Sequence, residues 1–262
     1  GLISWESTIG AVLGPAHPAM AAAWRDVTLE ELLRHASGMR ANPNLLTRLW
    51  QRDPSRADYV AAMLSGAPVG ARGGFVYSNA GYVVAGAMLE AAGGAPWEEM
   101  IAREVFAPLG LDSAGVGPPE GDQPRGHRGG LFGGLRAVAP GPRADNAPAL
   151  GPAGRVHLSA GDMLRYLRAH LLADPGYLSQ GSWARLHRAA GPGDYALGWA
   201  EVDGVLRHSG SNTLWFAQMR LHRDAGAAVF VAVNSAVLAQ VRGPVEAAAD
   251  AALAQARAAG GG

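Results

Sequence analysis

Two short stretches of this 262-residue chain hold side chains that could do chemistry together: Tyr77-Ser78-Asn79 and Arg207-His208-Ser209-Gly210-Ser211. Residues i and i+2 of an extended or turning segment project to the same side, so the Tyr77 phenol and the Asn79 carboxamide can face one cavity. An unperturbed phenol, with a pKa of about 10, is a poor base at neutral pH. It becomes useful where a neighbouring positive charge favours phenolate or draws the proton onward. A carboxamide beside it can hold a substrate carbonyl. The plainer reading is strong, because Ser78 or Asn79 ahead of a helix is an ordinary N-cap and Tyr77 can be half-buried packing. Taken alone, the tripeptide favours the cap.

The second stretch reads as an edge strand. His208 and Ser209 are followed by Gly210, and a residue without a Cβ lets a substrate slide along the backbone while main-chain N–H groups point at a developing oxyanion. By itself it favours the plainer reading too, a hairpin turn over 209–212 with His208 on the surface.

The elements that must position these groups have local signatures. Thr28-Leu-Glu-Glu31 is a capping box opening a short helix through Leu32 and Leu33, and residues 55–65 and 80–92 make two more helices, the latter stopped by Gly93-Gly94. Pro96 suits the first turn of a fourth helix through WEEMIAREVF. Residues 115–154 are dense in Gly and Pro with little periodicity. Ser159-Ala-Gly-Asp162 is a second capping box, leading a helix whose apolar face is Met163, Leu164, Leu167 and Leu171. Residues 195–202, 204–209, 213–221 and 227–234 are β-branched and aromatic runs separated by turn residues, which predicts an antiparallel meander. An alanine-rich helix from about 236 to 259, interrupted near Gly243-Pro244, closes the chain and could lie across the sheet.

Composition narrows the function classes. Lys+Arg and Asp+Glu both number 22, a formal net charge of zero that supplies no basic field for nucleic acid or anionic lipid. The chain has no cysteine, which excludes disulfides, thiol catalysis and thiolate metal sites. No apolar run reaches the ~18 residues that span a bilayer. There is no Gly-x-Ser-x-Gly elbow, no His-Glu-x-x-His pair and no phosphate-cradling glycine loop, so neither metal nor cofactor is expected. All 22 cations are arginine; the sequence contains no lysine.

The order of several weak motifs resembles a known family. Leu32-Leu33-Arg34-His35-Ala36-Ser37-Gly38-Met39 resembles the Leu-Leu-x-His-x-Ser-Gly-Leu segment of the serine β-lactamase-like hydrolases, which include class C β-lactamases, penicillin-binding DD-peptidases and related esterases. Tyr77-Ser78-Asn79 is similar to their Tyr-x-Asn motif, Gly151-Pro152-Ala153-Gly154 to their Pro-Ala-Gly, and His208-Ser209-Gly210 to their Lys/His-x-Gly motif. The resemblance implies an α+β, β-lactamase/transpeptidase-like fold: one domain over 1–262, mainly helical over about 15–160 and an antiparallel sheet with flanking helices over about 160–260, the site lying between them.

It also implies roles. Tyr77 would relay the nucleophile's proton, with Asn79 touching the substrate's amide or ester side. His208 would replace the usual Lys or His, and the Ser211 N–H would form half of an oxyanion hole. Ser209 would bind a substrate carboxylate or carbonyl, with Gly210 and Asn212 beside it. His35 and Ser37 would be structural, below the site. The implied partner is a small amide or ester: a β-lactam, a D-Ala peptide or a simple ester. Arg125, His127 and Arg128 are candidate anion contacts in the long loop, or simply solvated groups. Family members are commonly periplasmic or secreted, and a cytoplasmic location fits the composition equally; oligomeric state is left open.

The departure is the family's first motif, Ser-x-x-Lys, which sets nucleophile and lysine one helical turn apart. A chain without lysine cannot contain it. In the family that motif precedes a segment resembling Gly1-Leu-Ile-Ser-Trp-Glu, and the chain opens with neither Met nor a leader pattern. The expectation is therefore a serine hydrolase truncated at its N-terminus and inactive alone, with a pseudoenzyme that uses the cleft for binding or as a scaffold as the alternative.

Overall fold

A computed structural model of the chain describes residues 1–43, 54–130, 133–142 and 144–260. It forms two compact units, one made of Gly1–Arg103, Ala147–Ala153 and Arg188–Gly198, the other of Glu104–Asn146, Gly154–His187 and Trp199–Gly262.

The first unit is helical: α1 (Ile9–Leu13), α2 (Leu29–Leu33), α3 (Arg56–Ser65), α4 (Asn79–Gly93) and α5 (Trp97–Ile101). Local chemistry sets their starts. Thr8, Thr28, Ser55 and Ser78 each accept a first-turn amide on a side-chain oxygen, and the expected Thr28/Glu31 capping box is complete. Helix α4 ends on Gly94 at φ 67°, the left-handed conformation glycine adopts most readily. Ala80, Val83, Val84, Ala85 and Met88 of α4 are buried together with Ile9, Leu32, Val60 and Leu64 in one core. A Cβ on Gly86 would lie 2.4 Å from Pro152 Cγ, so only glycine lets that segment approach α4. Below α4, Arg56 donates to both Glu90 and Glu98 and lies over the Trp97 ring.

Two expectations about this unit need correction. Pro96 is the cap of α5 and not its first residue, and the helix passes after Ile101 into a π-type turn over Ala102–Phe106. Tyr195 to Gly198 are not strand. The chain bends at Leu197–Gly198, the glycine at φ 94°, and the Arg34 guanidinium donates to the carbonyls of Arg188 (2.8 Å) and Tyr195 (3.3 Å), tying them to the helical unit.

The second unit is built on β5 (Ala200–Val202), β6 (Val205–Ser211), β7 (Phe216–His222) and β8 (Ala227–Val233), an antiparallel meander in the order β5-β6-β7-β8. This is the predicted topology, with the first strand shorter. Smaller pairs join β1 (Gly115–Val116) to β4 (Val156–His157) and β2 (His127–Gly129) to β3 (Leu135–Ala137) inside the Gly/Pro-rich region. Helices α6 (Ala160–Leu172) and α8 (Leu238–Gly260) pack on β7 and β8, and α7 (Gln180–Leu186) lies between them in sequence.

Helix α8 runs unbroken through Pro244, against the expected interruption. Val245, Ala249 and Leu253, spaced i, i+4, i+8, are buried, and the last two pack on Val229, an apolar stripe that holds the helix beyond the proline. Arg220, 3% exposed, donates from the sheet to Glu246 and Asp250 of the same helix.

The second capping box is only half present. Ser159 Oγ accepts the Asp162 amide at 3.2 Å, but the Asp162 carboxylate turns to Ser113, accepting from its N–H at 2.7 Å and its hydroxyl at 2.6 Å. Those bonds, aided by Arg165, hold the Asp162 carboxyl below its ordinary range. Against the expected apolar face, Leu164 is 50% exposed, while Leu167 and His170 are buried. No helix among the described residues is long and apolar enough to cross a membrane.

Candidate functional site

In the helical unit the residues around Tyr77 divide the work. Ser78 is fully buried and fixed three ways: its Oγ caps α4 by accepting the Gly81 amide at 2.9 Å and donates to the Arg40 carbonyl at 2.8 Å, while its N–H donates to His35 Nδ1 at 3.0 Å. Capping thus falls to Ser78 alone. Its two neighbours take no part in the cap: Tyr77 is 45% exposed, and Asn79, half-buried, donates from Nδ2 to Asn42 Oδ1 at 3.4 Å.

Tyr77 rests on an aromatic floor. Its ring centroid is 4.1 Å from that of His35, tilted 39°, and His35 in turn contacts Tyr195 at 4.6 Å, Tyr82 at 5.3 Å and Phe75 at 5.9 Å. Partial burial pushes the Tyr77 phenol above its ordinary value. It is therefore a phenol at neutral pH and can pass a proton on only if a cation is brought beside it.

His35 and Ser37 shape the backbone beneath. His35 is 1% exposed with φ 58°, and Gly38 follows at φ 72°, where a Cβ would stand 2.3 Å from the Gly70 carbonyl oxygen. Ser37, also buried, accepts the Met39 amide at 3.3 Å.

In the second unit, β5 accompanies β6 only as far as the Ala200–Arg207 pair, whereas β7 continues along it from Leu206 to Ser211. From Ser209 to Ser211, β6 runs beyond the register of β5 and is paired with β7 on its other side. Ser209, Gly210 and Ser211 are exposed, and a Cβ at Gly210 would meet nothing within 4 Å. The edge can pair with an extended ligand through its main chain. Strand alternation sets His208 and Gly210 on one face, with Ser209 and Ser211 on the other.

Side chains at the end of β6 are largely committed. Ser209 Oγ accepts from Gln218 Nε2 at 3.2 Å, and Ser211 Oγ accepts the Thr213 amide at 3.1 Å, each hydroxyl keeping its O–H as a donor. Asn212 holds the turn: its Oδ1 accepts the amides of Leu214 (3.2 Å) and Trp215 (3.0 Å), and its Nδ2 donates to Asp145 Oδ1 at 2.8 Å. His127 is anchored as well, its Nδ1 donating to the Asn234 carbonyl at 2.8 Å. Among the described residues no cluster of three or more His, Asp or Glu could hold a metal.

The sequence pattern of the family described as Beta-lactamase matches residues 1–254. The chain belongs to the Beta-lactamase family. A curated relative, penicillin-binding protein 4 of Amycolatopsis lactamdurans, is 29% identical over 260 residues, 90% of this chain and 67% of that protein. Among solved structures, the octameric penicillin-binding protein homologue from Pyrococcus abyssi superposes with a TM-score of 0.68 at 21% identity, covering 90% of this chain and 57% of that one. EstCE1, a hydrolase with promiscuous acyltransferase activity, gives 0.72 at 20% identity over 93% of this chain and 77% of its own. The chain thus spans between somewhat over half and about three quarters of the length of these proteins. The likeness establishes the α+β, β-lactamase/transpeptidase-like fold.

Within that family frame, two contributors escaped the sequence reading. Tyr195, expected at the start of the 195–202 strand, belongs to the floor under Tyr77. Asp145, in the Gly/Pro-rich region, holds Asn212 and approaches Arg155 Nε at 3.9 Å; nothing local marks it.

Proposed function

We propose that this chain is the substrate-binding and proton-relaying part of a serine hydrolase that cleaves a small amide or ester, such as a β-lactam, a D-Ala peptide or a simple ester, through an acyl-enzyme. The nucleophile is a serine outside these 262 residues, because the Ser-x-x-Lys pair requires a lysine and the sequence has none. Its Oγ attacks the substrate carbonyl carbon while its proton passes by way of Tyr77 to the leaving nitrogen or oxygen, and water then hydrolyses the resulting ester. Asn79 positions the amide or ester side, and His208 stands where the family uses Lys or His. Ser209 and Gly210 offer the edge to substrate, the Ser211 N–H meets the developing oxyanion, and Asn212 shapes the turn that aims it.

The observation that carries this reading is that the Tyr77 phenol stays half-exposed on an aromatic floor, while Ser78 alone caps α4 and leaves Asn79 out of that role. A fluorophosphonate or penicillin probe, applied to protein that includes sequence upstream of Gly1, should label a serine followed three residues later by lysine. Absence of label would refute hydrolysis by this route.

A second reading rests on a different observation. The Tyr77 phenol is raised by burial and the chain contains no lysine to lower it, which suits a catalytically inactive pseudoenzyme that uses the same groups for binding or as a scaffold. It predicts that the complete open reading frame also lacks Ser-x-x-Lys; finding that motif removes the reason to hold it.

A further inference from the structure

We infer that His35 is the positioning residue for Tyr77, its ring face setting the phenol and its Nδ1 fixing the Tyr77–Ser78 peptide. The inference rests on the acyl-transfer reading only for its catalytic consequence; the positioning itself is a property of this chain.

Three observations converge on the imidazole. A backbone N–H can only donate, so the 3.0 Å bond from the Ser78 amide makes Nδ1 an acceptor and puts the ring proton on Nε2. The bonded amide lies between the two residues proposed to touch substrate. Tyr77 has the His35 ring as its nearest aromatic neighbour, at 4.1 Å, with Tyr195 farther off at 6.3 Å in an edge arrangement. Third, the backbone at His35 is held at φ 58°, a left-handed conformation uncommon outside glycine that His, Asn and Asp adopt more readily than other residues and β-branched residues hardly at all. That conformation returns the His35 carbonyl to the Val76 amide at 2.9 Å, so the segment bearing Tyr77 is gripped by the backbone of His35 as well as by its ring. A residue that only filled the core would need neither an acceptor at Nδ1 nor a positive φ.

Two substitutions separate the functions of the ring. His35→Asn tolerates the left-handed backbone and keeps a short acceptor for the Ser78 amide, but removes the surface under Tyr77. His35→Phe keeps a surface and removes the acceptor. With carbon-13 at tyrosine Cζ, NMR titration of the 262-residue chain should show the Tyr77 phenol titrating above its ordinary value in the parent and in His35→Phe, and falling back toward it in His35→Asn as the ring gains solvent. Exchange of the Ser78 amide should be at least tenfold faster in His35→Phe than in His35→Asn. Unchanged Tyr77 titration in His35→Asn, or equal Ser78 exchange in the two variants, overturns the inference.

If a variant does not fold, the nitrogen-15 spectrum of parent His35 decides: an unprotonated Nδ1 supports the assignment and a protonated Nδ1 overturns it. In protein carrying the upstream nucleophile, both variants should slow acylation on the order of 10²-fold with substrate affinity little changed, the consequence of a misplaced group. Because the titration and exchange are read on this chain without turnover, an inactive protein would refute the hydrolase reading while leaving the positioning of Tyr77 to be judged separately.

Discussion

His170 and His187 make a buried pair that should render this protein acid-sensitive. His170 Nδ1 and His187 Nε2 are 2.9 Å apart, the residues are 6% and 4% exposed, and Tyr166, Trp183 and Trp199 pack around the His170 ring. One neutral ring donates to the other, and neither can readily take a further proton. Burial, with His187 as a secondary influence, lowers His170 from 6.5 to about 3; burial, with Arg223 behind it, lowers His187 to about 4. Because both folded-state values lie below the unfolded one, the unfolded chain binds protons first as the pH falls. The stability contributed by neutral pairing is thus whole above 6.5 and is lost progressively below it, levelling off only under the folded values.

Between pH 7 and pH 5 that linkage amounts to about 2 kcal/mol for His170 and up to about 4 kcal/mol for the pair. The assay is urea unfolding at both pH values for the parent and for His170→Leu/His187→Leu, a double change that removes donor and acceptor together and leaves neither stranded. The parent should lose about 2–4 kcal/mol more than the variant over that interval. Parallel losses in the two proteins would refute the reasoning.

Other consequences are more local. Gly38→Ala should destabilise by more than the ~1–2 kcal/mol of left-handed backbone alone, because its Cβ would also meet the Gly70 carbonyl; thermal unfolding reads this. Ser78→Ala should cost about 1 kcal/mol for the cap, with faster amide exchange at Gly81 and little effect at Gly94, at the far end of α4. Asn212→Ala leaves the Leu214 and Trp215 amides without their acceptor and should lower stability by about 1–3 kcal/mol, with faster exchange at those two amides.

Much of the positioning apparatus could be read from the chain because its causes are local. A hydroxyl three residues before an amide it can accept, as at Thr28 and Ser78, is visible as spelling, and the glycine ending α4 follows from a backbone requirement. The β6 and β7 strands and the turn between them are equally short-range. What stayed hidden depends on partners far apart in sequence. Asp162 looked like the returning half of a capping box, but Ser113, 49 residues earlier, takes its carboxylate. Tyr195 read as strand until the Arg34 guanidinium, 161 residues away, captured its carbonyl. Leu164 has the spacing of the apolar face of α6 but is exposed, while His170 is buried against His187, 17 residues on. Pro244 predicts a break that packing by Val245, Ala249 and Leu253 overrides.

For the central claim, that Tyr77 serves a serine nucleophile in acyl transfer, the most direct measurement is the rate of covalent labelling by a penicillin or fluorophosphonate in protein that includes the residues before Gly1. The expected result is one labelled serine three positions ahead of a lysine, with labelling slowed about 10²- to 10⁴-fold by Tyr77→Phe. Labelling at the same rate in Tyr77→Phe, or no labelled serine at all, would contradict it.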